Sequence, residues 1–241
     1  MAAAPLPLLG TFHEFSVACE DVRASVEFYE RLGFSQTLTG DAFTHPYGVM
    51  TDGRLFIGLH QRASASPVLT FVRPGVARSL TAYEDAGIRL TRCRTGDEVF
   101  NEIAFEDPGA HAVAVLEART YSPPESRGAS ACGDFAEVSL PEDDFATARS
   151  FWEGLGFVAA EESEGPYARV ALTSDYLDLA FHAPQAERAP LLVFRNADPA
   201  ARMALLRERG LQITPAPRFG ASGSLLRSPD GTTLLLLPPE E

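Results

Sequence analysis

Two glutamates and two histidines are the residues of this chain whose placement could carry chemistry. Glu14 and Glu137 sit in copies of one segment: Phe12-His13-Glu14-Phe15-Ser16-Val17 recurs as Phe135-Ala136-Glu137-Val138-Ser139-Leu140, at an offset of 123 residues. His60 and His182 each close a second recurring segment, Leu55 to His60 and Leu177 to His182. A carboxylate facing an apolar interior is costly unless it is paired or protonated, and burial raises its pKa. Such a group could take a proton from an acidic C–H, anchor a cationic ligand, or bind an arginine of a neighbouring strand. All three readings stay open, with Arg73 and Arg195 as the candidate partners. An imidazole titrates near neutrality and suits binding or proton transfer, or it simply closes a strand at a cavity rim. Glu14 and Glu137 are therefore the candidate catalytic residues. The candidate ligand-binding residues are His60, His182, Tyr47, Tyr167 and Phe56.

Composition removes much of the competing chemistry. The chain has 241 residues, 33 acidic against 20 basic, for a formal charge of -13. Every basic residue is arginine, so Schiff-base chemistry and a P-loop lysine are excluded. So acidic a surface repels phosphate backbones, and nucleic acid is not an expected partner. No apolar run is long enough to span a bilayer, and the Met-Ala-Ala-Ala-Pro-Leu-Pro start lacks the features of a signal sequence. A cytoplasmic protein is expected, with no membrane partner. Cys19, Cys93 and Cys132 are too scattered for a disulfide framework or a cysteine-rich metal knot. There is no Gly-x-Ser-x-Gly elbow, Walker loop, Cys-x-x-Cys pair or His-Glu-x-x-His helix.

The elements that must position these residues repeat as well. Phe28-Tyr29 followed by Leu32-Gly33-Phe34 answers Phe151-Trp152 followed by Leu155-Gly156-Phe157, and Pro46-Tyr47 answers Pro166-Tyr167. Asp107-Pro108-Gly109 answers Ser228-Pro229-Asp230-Gly231. A segment rich in Pro, Ser, Gly and Ala separates the copies, giving domains at 11–119 and 134–238 with a linker at 120–133. Within each half the pattern divides again. Phe12 to Cys19 alternates like a strand, and Glu20-Asp21 caps a helix that Gly33 stops. Strands are expected around 35–39, 43–51 and 55–61, with an Asp52-Gly53 hairpin. The second quarter repeats the order, with a strand from Val68, a helix from Val76, and strands near 88–93, 98–105 and 112–117. Residues 135–182 and 191–237 follow suit, so the fold class is α+β, built of four βαβββ units.

A βαβββ unit whose helix ends in Phe-Tyr-x-x-Leu-Gly-Phe and whose last hairpin carries Asp-Pro-Gly or Pro-Asp-Gly resembles the vicinal oxygen chelate superfamily. That group includes glyoxalase I, bleomycin-binding proteins, fosfomycin-resistance enzymes, methylmalonyl-CoA epimerase and extradiol dioxygenases. The resemblance implies that paired units curl one sheet around a cavity, so this chain would hold two. It also implies up to four metal ligands per cavity, usually His or Glu. By this alignment they fall at Glu14, Gly58, Val68 and Ala114 in the first half and at Glu137, Ala180, Leu191 and Leu235 in the second. One carboxylate per cavity is too few to hold a divalent ion, so no metal and no other cofactor is expected, and extradiol cleavage is disfavoured. A Glu–His site completed by water is the minor alternative. Aromatic residues (Phe12, Phe15, Phe43, Tyr47, Phe56, Phe100 and Phe105; Tyr167, Tyr176, Phe181 and Phe219) are available to the sheets, most of them as core. The expected function is binding of a small organic molecule, with a lyase, isomerase or dioxygenase-class enzyme as the rival. The acidic surface favours a cationic ligand, and the state is monomer or homodimer.

Overall fold

The structure, a computed structural model, describes residues 8–37, 44–62, 64–118 and 130–239. Phe43, the first seven residues and most of the expected linker lie outside the described residues. In the first half the chain runs β1 (Thr11–Ala18), α1 (Val22–Arg31), β2 (Ser35–Gln36), β3 (Tyr47–Thr51), β4 (Phe56–His60), then β5 (Val68–Arg73), a 3-10 turn at Val76–Ser79 leading into α2 (Leu80–Asp85), β6 (Leu90–Arg94), β7 (Glu102–Glu106) and β8 (Ala112–Glu117). The second half repeats it as β9 (Asp134–Pro141), α3 (Phe145–Gly154), β10 (Val158–Ser163), β11 (Arg169–Thr173), β12 (Asp178–His182), β13 (Leu191–Arg195), α4 (Pro199–Glu208), β14 (Thr214–Pro215), β15 (Ser224–Arg227) and β16 (Thr233–Leu237).

Each half forms an open eight-stranded mixed sheet, in the orders β2-β3-β4-β1-β5-β8-β7-β6 and β10-β11-β12-β9-β13-β16-β15-β14. This is the expected α+β architecture of paired βαβββ units. The helices start where short polar side chains can satisfy free N–H groups. Asp21 accepts from the amides of Arg23 and Ala24, Asp144 from Thr147, and Asp198 from Ala201. They stop at Gly33 and Gly156, whose φ values of 91° and 101° suit a residue without Cβ. The strand expected from residue 98 begins only at Glu102, because Asn101 accepts from the Gly96 amide and closes the preceding loop.

A bulge aims each glutamate. Phe12 and Phe15 lie opposite Phe71 and Leu69 on β5, on one face although three residues apart, because the register shifts between Phe12 and Glu14. The extra residue, His13, puts both phenylalanines into the core and turns Glu14 to the other face. The same shift lies between Phe135 and Glu137 on β9.

The two halves share one core. Phe34 meets Phe194 edge-on at 6.2 Å between ring centroids, and Phe105 meets Phe151 at the same separation. Each half also reaches the other's last turn: Tyr29 Oη donates to Asp230 (3.4 Å) and Trp152 Nε1 to Asp107 (3.1 Å). Phe28, Tyr29 and Trp152 are thus packing residues. Among the described residues, no helix is long and apolar enough to cross a membrane.

Candidate functional site

The opposite face of the first sheet curls around a cavity of ≈ 260 Å³ whose walls include Val68, Ala104, Ala114 and Leu116. Polar groups converge at one place in it. Glu14 is 2% exposed, and its carboxylate accepts three hydrogen bonds from its own half. Oε1 accepts from Ser16 Oγ (2.7 Å) and from His60 Nε2 (3.0 Å), and Oε2 accepts from Tyr47 Oη (2.6 Å). Ser16 also contacts the Thr70 hydroxyl at 2.7 Å. His60 Nδ1 lies 3.0 Å from Nε2 of the half-buried His45. Nε2 of His60 donates to the carboxylate while its Nδ1 faces His45, giving a chain Glu14–His60–His45 toward the surface.

These contacts decide the charge of Glu14. Burial raises its carboxyl, but the bonds from His60 and Tyr47 and the charge of His13 outweigh burial, leaving the pKa below its ordinary value. The elevated pKa expected for a buried base is therefore corrected: this glutamate is a stabilised anion. Gly58 makes room for it, since a Cβ there would lie 2.2 Å from Oε1.

The second half carries the same frame with a different filling. By strand register Thr70, Ala114 and Leu116 correspond to Val193, Leu235 and Leu237. Larger side chains thus fill the depth, and Leu191, Val193, Leu235 and Leu237 are all buried. Ala180 stands where Gly58 gives Glu14 its space. Glu137 turns instead to Arg169, which donates from Nε to Oε1 at 2.8 Å and from Nη2 to Oε2. The guanidinium also reaches Glu161 at 3.4 Å. What remains is an outer cleft of ≈ 500 Å³ bounded by Arg169, Tyr167 and Phe219, in which Glu137 takes no part. His182 is equally committed: Nδ1 accepts from Ser139 Oγ (2.8 Å), and Nε2 donates to the Glu187 carbonyl (2.9 Å). Burial holds His182 down to about 4, so it is a neutral structural imidazole.

The structure therefore gathers Glu14, His60 and Tyr47 and separates them from the other candidates. Glu137 is half of an ion pair. Tyr167 packs edge-on against Phe219 at 4.8 Å, at the outer cleft. Phe56 lies outside the walls of the first cavity. Arg73 and Arg195 are not the glutamates' partners; they donate to the carbonyls of Leu8 and Pro238. Tyr176 and Phe100 are exposed, and Phe181 packs in the shared core. Sequence reasoning missed Arg169 because the Pro-Tyr match misleads the register. Tyr47 pairs with His60, but the residue paired with His182 is Arg169, two positions beyond Tyr167. Ser16 and Thr70 carried a usable signal, lying at strand period on the cavity face.

The same register tests the metal layer. Opposite Glu14 stand Thr70 and then Ala114, not Val68 as the alignment placed it; opposite Glu137 stand Val193 and Leu235, not Leu191. The shift by two keeps the inward face and adds one hydroxyl, already bonded to Ser16. A divalent ion normally takes three or more strong protein donors, and this layer does not fit one.

Two curved eight-stranded sheets in tandem, each of two βαβββ units, are a fold this chain shares with solved 2,3-dioxygenases. Solved structures of that form superpose over nearly the whole chain. A catechol 2,3-dioxygenase has a TM-score of 0.63 at 16% identity, covering 97% of this chain and 88% of that one. The E323L mutant of homoprotocatechuate 2,3-dioxygenase from Brevibacterium fuscum has a TM-score of 0.66 at 18% identity, covering 99% and 74%. The 2,3-dioxygenase LapB from Pseudomonas sp. KL28 has 0.66 at 16% identity, covering 99% and 94%. No protein-family model matches the chain, and no curated protein matches it in sequence.

Proposed function

We propose that this protein binds a small organic molecule in the cavity of its first half, over Glu14, and that the second half serves as a scaffold. The observation that carries the reading is the contrast between the copies: Glu14 lines an open cavity, while Glu137 is capped by Arg169 beneath packed leucines. A carboxylate offers about four lone-pair sites. Three on Glu14 are taken, so the ligand would present a single N–H or ammonium donor to Oε2 and an apolar body to the walls. The cavity volume of ≈ 260 Å³ lies just under the usual range for ligand pockets, so it suits a molecule smaller than a typical drug.

A second reading, an enzyme acting on an acidic C–H, is favoured by the Glu14–His60–His45 chain, which could carry a proton to the surface. The structural neighbours are dioxygenases by name, which adds weight to an enzymatic role without specifying the reaction. Against it stands the lowered pKa of Glu14, which makes a weak base. A thermal-shift screen of small amines in chelator, on wild type and Glu14→Gln, separates the possibilities. Stabilisation lost in Glu14→Gln supports binding at this site; stabilisation unchanged by the substitution overturns it. Conversion of a bound compound in chelator establishes the second reading.

A further inference from the structure

We propose that Asp107, His111 and Glu142 form a divalent-cation site at the seam between the halves, suited to a borderline or hard ion such as Zn²⁺ or Mn²⁺. The site is separate from the cavity and uses none of its residues. One donor atom from each of the three side chains lies within 4.8 Å of the others. His111 Nδ1 is 3.0 Å and 3.1 Å from the two Asp107 oxygens and 3.4 Å from Glu142 Oε1. With bonds of about 2.0–2.1 Å, donor atoms around such an ion stand about 2.9–3.4 Å apart, so these separations match edges of a coordination shell.

Four further observations point to a ligand. Glu142 is 6% exposed, and its buried Oε1, turned into this cluster, makes no well-formed hydrogen bond, only the ion-pair approach of His111 Nδ1 at 3.4 Å. A buried carboxylate oxygen held by so long a contact is under-satisfied. Gly109 is shaped around it: a Cβ there would fall 2.0 Å from Oε1 and 2.6 Å from His111 Cε1. Asp107 is held in place by the His111 amide (2.8 Å) and by Trp152 Nε1 (3.1 Å), the outer support a metal-binding carboxylate usually has. Finally, the turn does not need these residues. Its copy in the second half makes the same backbone bond between Ser228 and Thr232 that Asp107 and His111 make, and the residue that mirrors Glu142 is Cys19.

Charge supports the same conclusion. Two buried carboxylates with one imidazolium leave a net negative charge, whereas a divalent ion with neutral His111 balances it. A cleft of ≈ 500 Å³ beside His111, lined also by Phe15, Glu106 and Arg188, would let water complete the coordination. Asp107 and His111 belong to the first half and Glu142 to the second, so the ion would also tie the halves together.

The test uses the full chain, stripped with chelator and titrated with Zn²⁺ and with Mn²⁺ by calorimetry and thermal melting. One equivalent of at least one ion should bind and raise the melting temperature. Affinity should fall at least tenfold in His111→Gln and in Glu142→Gln, and persist in His60→Asn. Absence of saturable binding, or binding indifferent to both seam substitutions, overturns the proposal. Should a seam variant fail to fold, anomalous diffraction from wild-type crystals soaked in Zn²⁺ decides: a peak between Asp107, His111 and Glu142 supports the site, and its absence overturns it.

Discussion

Removing Arg169 should be among the most damaging single changes in the second half, although it lies outside the proposed ligand cavity. The Glu137 side chain is 4% exposed and that of Arg169 10%, so neither charge is hydrated in the usual way. Arg169→Met strands a buried carboxylate, which typically costs about 3–5 kcal/mol. At roughly 2–4 °C per kcal/mol for a chain of this size, the melting temperature should drop by about 6–20 °C. Replacing both members, Glu137→Met with Arg169→Met, removes the stranded charge and extends the apolar cluster of Leu191, Val193 and Leu235. Such double replacements are often neutral or stabilising by about 1–4 kcal/mol, so the double variant should recover wild-type stability. Urea unfolding followed by fluorescence suits the assay, because Trp152 is the only tryptophan and is fully buried at the seam. A single variant as stable as wild type, or a double variant no better than the single, would refute the claim that this pair substitutes for an open site.

Other expectations follow from the first cavity and its mirror. Gly58→Ala places a methyl group 2.2 Å from Glu14 Oε1, so it should cost about 1–3 kcal/mol by overpacking; it should also abolish the amine response, as thermal melting would register. Tyr47→Phe removes a bond to an ionised group worth about 1.5–3 kcal/mol. The Glu14 pKa should then rise, measurable by carbon NMR of the labelled carboxyl. In wild type the lowered Glu14 pKa supports stability above its unfolded value and loses that support as pH falls through the folded one. His182 gives a second pH dependence: its pKa is about 4 when folded against an ordinary value of 6.5, so below 6.5 only the unfolded chain takes the proton. Stability should fall as pH drops from 6.5 toward 4, by roughly 3 kcal/mol at most, and His182→Asn should flatten that part of the profile.

The tandem architecture was legible because duplication makes each half a check on the other: a capped helix stopped by glycine, seen twice at one offset, leaves little freedom. The cavity floor was half legible. Glu14 and His60 stand out by type and by strand parity, and Tyr47 by its neighbouring proline. Which cavity is open was not legible, because that depends on partners across strands. Gly58 against Ala180, and Thr70 against Val193, are small changes in the sequence, yet they decide where the glutamate turns. The bulges at His13 and Ala136 were hidden as well, since a strict period of two puts Phe12 and Glu14 on one face. The seam cluster escaped because His111 lies in a turn and its partner Glu142 belongs to the other half; only the packing of the two sheets unites them.

The central claim, a small molecule held over Glu14 without an ion in that layer, is tested most directly by a crystal structure of the protein with a stabilising amine bound. Density for the compound should appear in the first half, with its nitrogen in hydrogen-bond range of Glu14 Oε2 and the Glu137–Arg169 pair intact. A compound seated over Arg169 with the first cavity vacant, or a divalent ion coordinated by Glu14, would contradict it.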